Sequence, residues 1–158
     1  WRWAGSTTEF MSAVHTLISH DESETIEAGR AFVTRLAPGA IVALRGDLGA
    51  GKTRFVRGMA AGLGHDPRQV SSPTYTLANE YDTAGARCPL IHIDAYRLPE
   101  GDDLSSIGWD HMTDGTAIIV IEWAERVRGV LPAGCAEVDI EHEGDRERVI
   151  RLSIPRPT

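Results

Sequence analysis

Residues 46–53 run Gly46-Asp47-Leu48-Gly49-Ala50-Gly51-Lys52-Thr53 and match the pattern G-x-x-x-x-G-K-[ST] at every defined position. In this pattern the glycines let backbone N–H groups turn toward phosphate oxygens, and the lysine ammonium adds a mobile positive charge. Lys52 is the only lysine of the chain, whereas the other fifteen long cations are arginines. The stretch therefore predicts a phosphate-binding loop whose ligand is a nucleoside triphosphate.

The sequence on both sides of this loop has the order of elements that phosphate binding requires. A short apolar run of strand length, 40–44, leads into the loop. Residues 54–63 are typical of a helix that leaves the loop, and Gly64 is a helix-ending residue. A helix placed there would direct its positive end at the phosphates.

Apolar patterning elsewhere predicts the class of the fold. Residues 117–121 form the most continuous apolar run, which predicts a strand buried on both faces at the centre of a largely parallel sheet. Polar and apolar residues alternate along 136–141 and 148–154, which predicts an antiparallel hairpin with one solvent-exposed face. We therefore expect an α/β chain with a three-layer P-loop NTPase fold, whose mixed, mainly parallel sheet has antiparallel strands toward the C-terminus. The other expected elements are strands at 13–18, 77–82 and 89–93, a helix at about 22–36 capped by Asp21 or Ser19, and a short helix at 102–107.

Length and composition limit the possible classes of protein. A chain of 158 residues that is 42% hydrophobic can bury one core, so residues 11–158 are expected to form a single P-loop ATPase domain. Residues 1–10 lack usable periodicity, precede Met11 and are interpreted as a cloning remnant. With no long apolar run, no hydrophobic signal segment and two widely separated cysteines, we expect a cytoplasmic, reduced protein without membrane contact. A net charge of -7 disfavours binding of nucleic acid through the overall field of the protein, and no DNA binding is expected. A local basic patch at Arg54, Arg57 and Arg68 stays open, with a solvated helix surface as the simpler alternative.

Two carboxylates, Asp94 and Glu122, each follow an apolar strand and are candidates for the second half of a nucleotide site. An acid at the carboxyl end of a strand beside a phosphate loop commonly organises Mg²⁺. Glu122 is the favoured ligand, with the Thr53 hydroxyl, because its strand is the more central. Asp94 would then orient or deprotonate the attacking water, although which acid chiefly activates water stays open. Lys52, the third catalytic candidate, is expected at the surface of the cradle, packed against nothing. The predicted nucleotide-binding residues are Asp47, Leu48, Gly49, Ala50, Gly51, Lys52, Thr53 and Arg54.

Five motifs follow one another along the chain. They are the phosphate loop at 46–53, Ser-Pro-Thr-Tyr-Thr-Leu at 72–77, Asn-Glu-Tyr at 79–81, His-Ile-Asp-Ala-Tyr-Arg-Leu at 92–98 and Ile-Glu-Trp at 121–123. Together they closely resemble the TsaE family, small bacterial ATPases of tRNA threonylcarbamoyladenosine biosynthesis, from about Met11 to the C-terminus. The resemblance implies ATP and Mg²⁺ as cofactors and slow ATP hydrolysis that depends on TsaB and TsaD. It also implies a role with these partners in forming N6-threonylcarbamoyladenosine at position 37 of tRNAs that read codons starting with A, with the tRNA contacted indirectly.

The same resemblance implies roles for individual residues. It assigns Lys52 to the phosphates, Thr53 and Glu122 to Mg²⁺, and Asp94 to catalysis. It also identifies Thr74, Tyr75 and Thr76 as a mobile switch segment. Hydroxyls on a loop after the phosphate-loop helix are well placed to sense a γ-phosphate, with ordinary strand initiation as the alternative.

Trp123 and the Tyr96-Arg97 pair also resemble functional positions of the family and have simpler alternatives. Trp123 is equally compatible with core or interface packing. The Tyr96-Arg97 pair is compatible with neutralising charge on a phosphoryl group or with pairing to a nearby acid. His92 is expected to be a strand residue with a satisfied hydrogen bond.

Two other classes of function stay open at this stage. A small-molecule, nucleoside-like kinase would share the phosphate loop, but no arginine-rich lid segment is found. A nucleotide-dependent docking module would use hydrolysis only to reset an interaction. The lack of an Asn/Thr-Lys-x-Asp signature favours ATP over GTP, and the spacing of the histidines does not support zinc. The charged segment 141–147 predicts a solvated hairpin tip or an acidic docking tip.

Overall fold

The structure, a computed structural model, describes residues 14–73 and 75–155. The segment 1–10 and Thr74 of the predicted switch thus lie outside the described residues. Of the described helices, the longest have 12 residues, and none is long and apolar enough to span a membrane. The elements are β1 (His15–Ser19), α1 (Glu22–Val33), β2 (Ile41–Arg45), α2 (Lys52–Leu63), β3 (Ala78–Tyr81), β4 (Leu90–Asp94), α3 (Trp109–Met112), β5 (Ile118–Glu122), β6 (Ala136–Glu143) and β7 (Glu147–Ser153), with 3₁₀ turns at Pro67–Gln69, Ser105–Ile107 and Ala124–Val127.

The strands form one seven-stranded sheet in the order β1-β7-β6-β2-β5-β4-β3. The four strands β6, β2, β5 and β4 are mutually parallel. At both edges the further strands pair antiparallel with their neighbours, β7 with β6 and β1 with β7 on one side and β3 with β4 on the other. The predicted mixed α/β fold is confirmed, and β3 adds an antiparallel strand at the edge opposite the C-terminal hairpin.

Helical layers cover both faces of the sheet. On one face α1 and α2 pack against a core that includes Phe32 and Phe55. On the other face α3 and the 3₁₀ turns Ser105–Ile107 and Ala124–Val127 cover a second core that includes Leu104 and Trp109. Every residue of β4 and β5 is buried, which explains why both faces of these strands carry apolar residues and no simple alternation of polar and apolar residues appears.

Some element boundaries differ from those expected. Helix α1 ends at Val33 rather than Leu36, because residues 34–36 continue as a tighter turn in which Leu36 N donates to Val33 O. In the segment 102–107 only the 3₁₀ turn forms, and α3 follows it. Gly108, at φ 80, separates these two short elements and keeps them from joining into one helix.

The two long helices touch backbone to backbone, and glycines make this possible. A Cβ atom placed on Gly58 of α2 would lie 1.8 Å from the carbonyl oxygen of Ile26 in α1. A Cβ atom placed on Gly29 of α1 would lie 2.0 Å from the carbonyl oxygen of Phe55. Because α2 begins directly at the phosphate loop, this contact also holds the loop against the rest of the molecule.

Gly58→Ala is therefore expected to lower the free energy of unfolding by about 2–3 kcal/mol or more, because the two helix backbones must separate. The higher helix propensity of alanine offsets only about 1 kcal/mol of the packing cost. Denaturant unfolding measures this loss of stability as a lower midpoint concentration with an unchanged m-value. Gly129→Ala is the matched control, because a Cβ atom there meets nothing within 4 Å. Equal unfolding midpoints for both variants would contradict the close helix contact.

Candidate functional site

An open cleft of about 490 Å³ lies at the carboxyl edge of the parallel strands, next to the phosphate loop. The strand register explains its position, because Leu44 of β2 and Asp94 of β4 are both aligned with Glu122 of β5. The loop that follows β2 and the two acids thus emerge at one edge of the sheet. The residues that line the cleft are Leu48, Gly49, Gly51, Lys52, Thr53, Arg54, Arg57, Ser72, Asp94, Tyr96, Arg97, Glu122 and Trp123.

The phosphate loop ends in a helix N-terminus that has no side-chain cap. Gly51 is the N-cap of α2, adopts φ 108 and has no side chain to accept a hydrogen bond from the first turn. The N–H groups of that turn are therefore available to an anion, and the helix dipole favours negative charge there. Two predicted loop residues, the exposed Asp47 and the buried Ala50, do not line the cleft.

Lys52 is buried, so the expectation that it stands free at the surface is wrong. The residue is only 5% exposed. Its Nζ donates to the carbonyl oxygens of Gly46, at 2.6 Å, and Asp47, at 3.0 Å, and lies 4.2 Å from the centre of the Trp123 ring. The loop wraps the apolar stem, and the ammonium then needs acceptors that replace water. Burial lowers the pKa of Lys52, and the nearby acids, first among them Glu122, oppose that shift.

Glu122 links the phosphate-loop helix to the neighbouring strand. Its Oε1 accepts from Thr53 Oγ1 at 3.1 Å and from His92 Nε2 at 2.8 Å. Both Glu122 and His92 are buried, at 3% and 0% exposure. The carboxylate is consequently held toward the Thr53 hydroxyl, so the two predicted metal ligands lie together.

This oxygen pair fits a hard cation such as Mg²⁺. Magnesium takes oxygen ligands, keeps several waters and commonly binds through one or two protein groups plus phosphate oxygens. Within residues 14–73 and 75–155, no group of three or more His, Cys, Asp or Glu side chains is arranged to hold a metal. The Thr53 hydroxyl and the Glu122 carboxylate are groups that could hold a Mg²⁺ ion together with phosphate oxygens.

His92 lies next to the two acids and contacts Glu122. The sequence analysis did not predict this contact. Its Nε2 has the expected hydrogen bond, while Nδ1 is buried and has no partner in the described part of the chain. The alternation of side chains between the two faces of a strand would have predicted this placement. His92 and Asp94 lie two residues apart on β4 and therefore point to the same face.

Asp94 is buried and connects β4 to the segment that precedes β3. Its Oδ1 accepts from the backbone N–H of Tyr96 at 2.9 Å, and its Oδ2 accepts from Ser72 Oγ at 3.1 Å. A carboxylate has about four acceptor positions, so Asp94 retains capacity to accept from a water molecule in the cleft.

The described part of the predicted switch segment lies outside the cleft lining. Tyr75 is 88% exposed, and its ring centre lies 5.0 Å from the guanidinium carbon of Arg97. The Thr76 hydroxyl donates to Asn79 Oδ1 at 2.9 Å. Among the described residues of this loop, Ser72 contacts the candidate catalytic group Asp94.

Two aromatic rings cover the acidic end of the cleft. The ring centres of Tyr96 and Trp123 are 4.9 Å apart, and Trp123 lies over the Lys52 ammonium. Trp123 adopts φ 57, a left-handed conformation that is costly for a bulky residue. This backbone conformation turns the chain sharply after Glu122 and places the indole over the phosphate loop.

Comparisons with known proteins agree with one another. Residues 19–150 match the family model described as threonylcarbamoyl adenosine biosynthesis protein TsaE. The tRNA threonylcarbamoyladenosine biosynthesis proteins TsaE of Haemophilus influenzae and Treponema pallidum are each 37% identical, over 82% and 86% of this chain and 83% and 98% of their own. The crystal structure of Bacillus subtilis YdiB has a TM-score of 0.73 at 30% identity, and the match covers 91% of this chain and 87% of that one. The matched range includes the phosphate loop and both acids.

Proposed function

Because this chain belongs to the TsaE family of threonylcarbamoyl adenosine biosynthesis proteins, we propose that it serves this tRNA modification as a Mg²⁺-dependent ATPase. One observation supports the proposal above all: three segments that are distant in sequence bring Lys52 and Thr53, Asp94, and Glu122 to a single cleft at the uncapped start of α2. A phosphate cradle with two acids at one end is the arrangement that phosphoryl transfer to water needs.

Each residue of the cleft has a defined task in this mechanism. The N–H groups at the start of α2 bind phosphate oxygens, and Lys52 moves from its carbonyl acceptors to the β- and γ-phosphates. Thr53 and Glu122 would hold Mg²⁺, which neutralises charge on the phosphates when it is bound. Asp94 accepts a hydrogen bond from the attacking water and orients it in line with the γ-phosphate.

We further propose that TsaB and TsaD stimulate this hydrolysis and that tRNA is reached through them. The support is the connection between the cleft and an exposed loop: Ser72 hydrogen-bonds to Asp94, and Tyr75 of the same loop is open to a partner. A protein that binds this loop would change the position of Asp94 and thus the rate of hydrolysis.

The isolated protein is expected to hydrolyse ATP slowly, below about 1 s⁻¹, and faster when TsaB and TsaD are added. With tRNA and a threonylcarbamoyl donor also present, the modified nucleoside should form only when ATP is supplied. ATP and ADP should give different affinities for the partner complex, because a ligand shifts a switch only through differential contacts.

Three results would redirect the assignment. Hydrolysis that ignores the partners, together with equal affinities for them in ATP and ADP, would contradict partner stimulation. A phosphorylated small-molecule acceptor in place of free phosphate would instead identify a kinase. Partner binding that follows the bound nucleotide, with one round of modification completed without turnover, would identify a docking module.

A further inference from the structure

The cleft that contains the two acids is also lined by four long cations, Lys52, Arg54, Arg57 and Arg97. Arg97 differs from the other three, because its guanidinium contacts an aromatic ring: the guanidinium carbon lies 5.0 Å from the ring centre of Tyr75. We propose that Arg97 is a catalytic residue for ATP hydrolysis and that the Tyr75 ring holds it back in the isolated protein. This inference rests on the proposed function and adds to it a catalytic group and the means by which a partner controls that group.

The other three cations already have oxygen acceptors within the protein. Lys52 donates to two carbonyl oxygens of the phosphate loop. Arg54 forms an ion pair with Glu22, and Arg57 Nε donates to the carbonyl oxygen of Val70 at 3.2 Å. Among the described residues, the fourth cation has neither a hydrogen bond nor an ion pair, so its N–H donors are available to a phosphate.

The backbone that carries Arg97 is fixed at the rim of the cleft, although the side chain itself is exposed. Before it, the N–H of Ala95 donates to the carbonyl oxygen of Glu122 at 3.0 Å. After it, the carbonyl oxygen of Leu98 accepts from both Nη2 and Nε of Arg126, at 2.8 and 3.1 Å. Hydrogen bonds at both ends of the turn thus keep Arg97 beside the acids. Its long side chain is the part that changes direction.

The contact between Arg97 and Tyr75 is weak and reversible. Tyr75 is 88% exposed, and an exposed cation–π contact is weaker than a charge-assisted hydrogen bond to a phosphate oxygen. No acid of the described ranges pairs with Arg97, so no ion pair opposes its movement into the cleft. A partner surface that takes up the tyrosine ring binds the released state better and therefore shifts the guanidinium toward the phosphates.

The chemistry of hydrolysis defines the task of this guanidinium. The water oxygen forms a bond to the γ-phosphorus while the bond from that phosphorus to the β–γ bridging oxygen breaks. One proton of the water stays on the released phosphate, the other passes through Asp94 to solvent, and ADP keeps the electron pair of the broken bond. Negative charge therefore grows on the bridging oxygen. Arg97 donates to this oxygen and to the γ-phosphate oxygens, which stabilises the transition state more than bound ATP.

Arg97→Ala separates catalysis from binding. At saturating ATP, single-turnover hydrolysis by the isolated chain should fall by about 10²-fold, the effect of losing one donor to developing charge, while ATP affinity stays within about threefold. Arg97→Lys keeps the positive charge and should recover part of the rate. Arg128→Ala, which removes an exposed arginine outside this cleft, is the charge-matched control and should change neither quantity. Unchanged turnover of Arg97→Ala, or a loss of ATP affinity as large as the loss of rate, would overturn the catalytic role.

ADP with aluminium fluoride, a mimic of the transferring phosphoryl group, gives an independent measurement. Arg97→Ala should bind this complex about 10²-fold more weakly and ADP alone within about threefold, because a catalytic group contacts the transition state preferentially. Equal affinities of the variant and the unsubstituted chain for the mimic would contradict the proposal.

The hold exerted by Tyr75 is tested with Tyr75→Leu, alone and combined with Arg97→Ala. Alone, Tyr75→Leu should raise turnover of the isolated chain about two- to fivefold, the factor that corresponds to an exposed cation–π contact. In the Arg97→Ala background the same substitution should have no effect, because the group that it releases is absent. An equal effect in both backgrounds, including no effect in either, would refute control by Tyr75.

These outcomes are distinct from failure of the proposed function. An unsubstituted chain that does not hydrolyse ATP, alone or with its proposed partners, would contradict the ATPase assignment itself. Hydrolysis that is insensitive to Arg97 would contradict only the present proposal. If Arg97→Ala weakened partner binding and left turnover of the isolated chain unchanged, Arg97 would be a docking residue and the catalytic role would be lost.

Discussion

Lys52→Met is expected to lower ATP hydrolysis by about 10²–10³-fold, the usual effect of removing one preorganised donor from developing negative charge. Loss of the charge-assisted contact should also cost about 1.5–3 kcal/mol in ATP binding. Methionine keeps an unbranched stem in the space beneath Trp123, whereas alanine would leave it open, since Lys52 is buried. The fold should therefore survive, and the loss of activity can be assigned to the missing charge.

Phosphate release and ATP titration measure the two effects, and the denaturant midpoint verifies the fold. Lys52→Arg is the informative companion variant, because it keeps the charge but replaces a compact ammonium with a planar guanidinium. The carbonyl oxygens of Gly46 and Asp47 lie 2.6 and 3.0 Å from Nζ, which leaves little room for the larger group. Undiminished turnover of Lys52→Arg would refute the role given to this lysine.

Glu122→Gln and Asp94→Asn are expected to fail in different ways. Glu122→Gln should weaken Mg²⁺-dependent ATP binding, because a metal ligand acts already in the ground state. Asp94→Asn should leave ATP binding within about twofold and lower turnover by about 10²-fold, because a water-orienting group acts mainly in the transition state. Glutamine is preferred to alanine at position 122, since alanine would leave His92 Nε2 buried without its acceptor at a cost of about 1–3 kcal/mol.

ATP titrations at several Mg²⁺ concentrations, together with single-turnover hydrolysis, separate the two acids. For Glu122→Gln, excess Mg²⁺ should recover part of the affinity, and for Asp94→Asn it should recover nothing. The reverse pattern would exchange the roles of the two carboxylates. Equal losses in both variants would mean that they act as one unit around the metal.

Local sequence was sufficient for the elements that build the cradle. The eight-residue motif, the apolar run before it and Gly64 after it predicted β2, the loop and α2. The juxtaposition of Asp94 and Glu122 was also predictable, because parallel strands place their carboxyl ends at one edge of the sheet. These features depend on hydrophobic periodicity and on short-range backbone geometry, and both can be inferred from a single amino-acid sequence.

The sequence by itself determined the α/β class, the phosphate loop and the candidate acids, since each depends on residues close together in the chain. Tertiary structure alone decided that Lys52 is buried under Trp123, that His92 holds Glu122, and that α1 and α2 meet through glycine. It also decided that Arg148 reaches the phosphate loop from 98 residues away. Such contacts join segments distant in sequence. Their existence depends on which side chains the packed sheet and helices bring within about 3–4 Å of one another, a quantity that no local pattern contains.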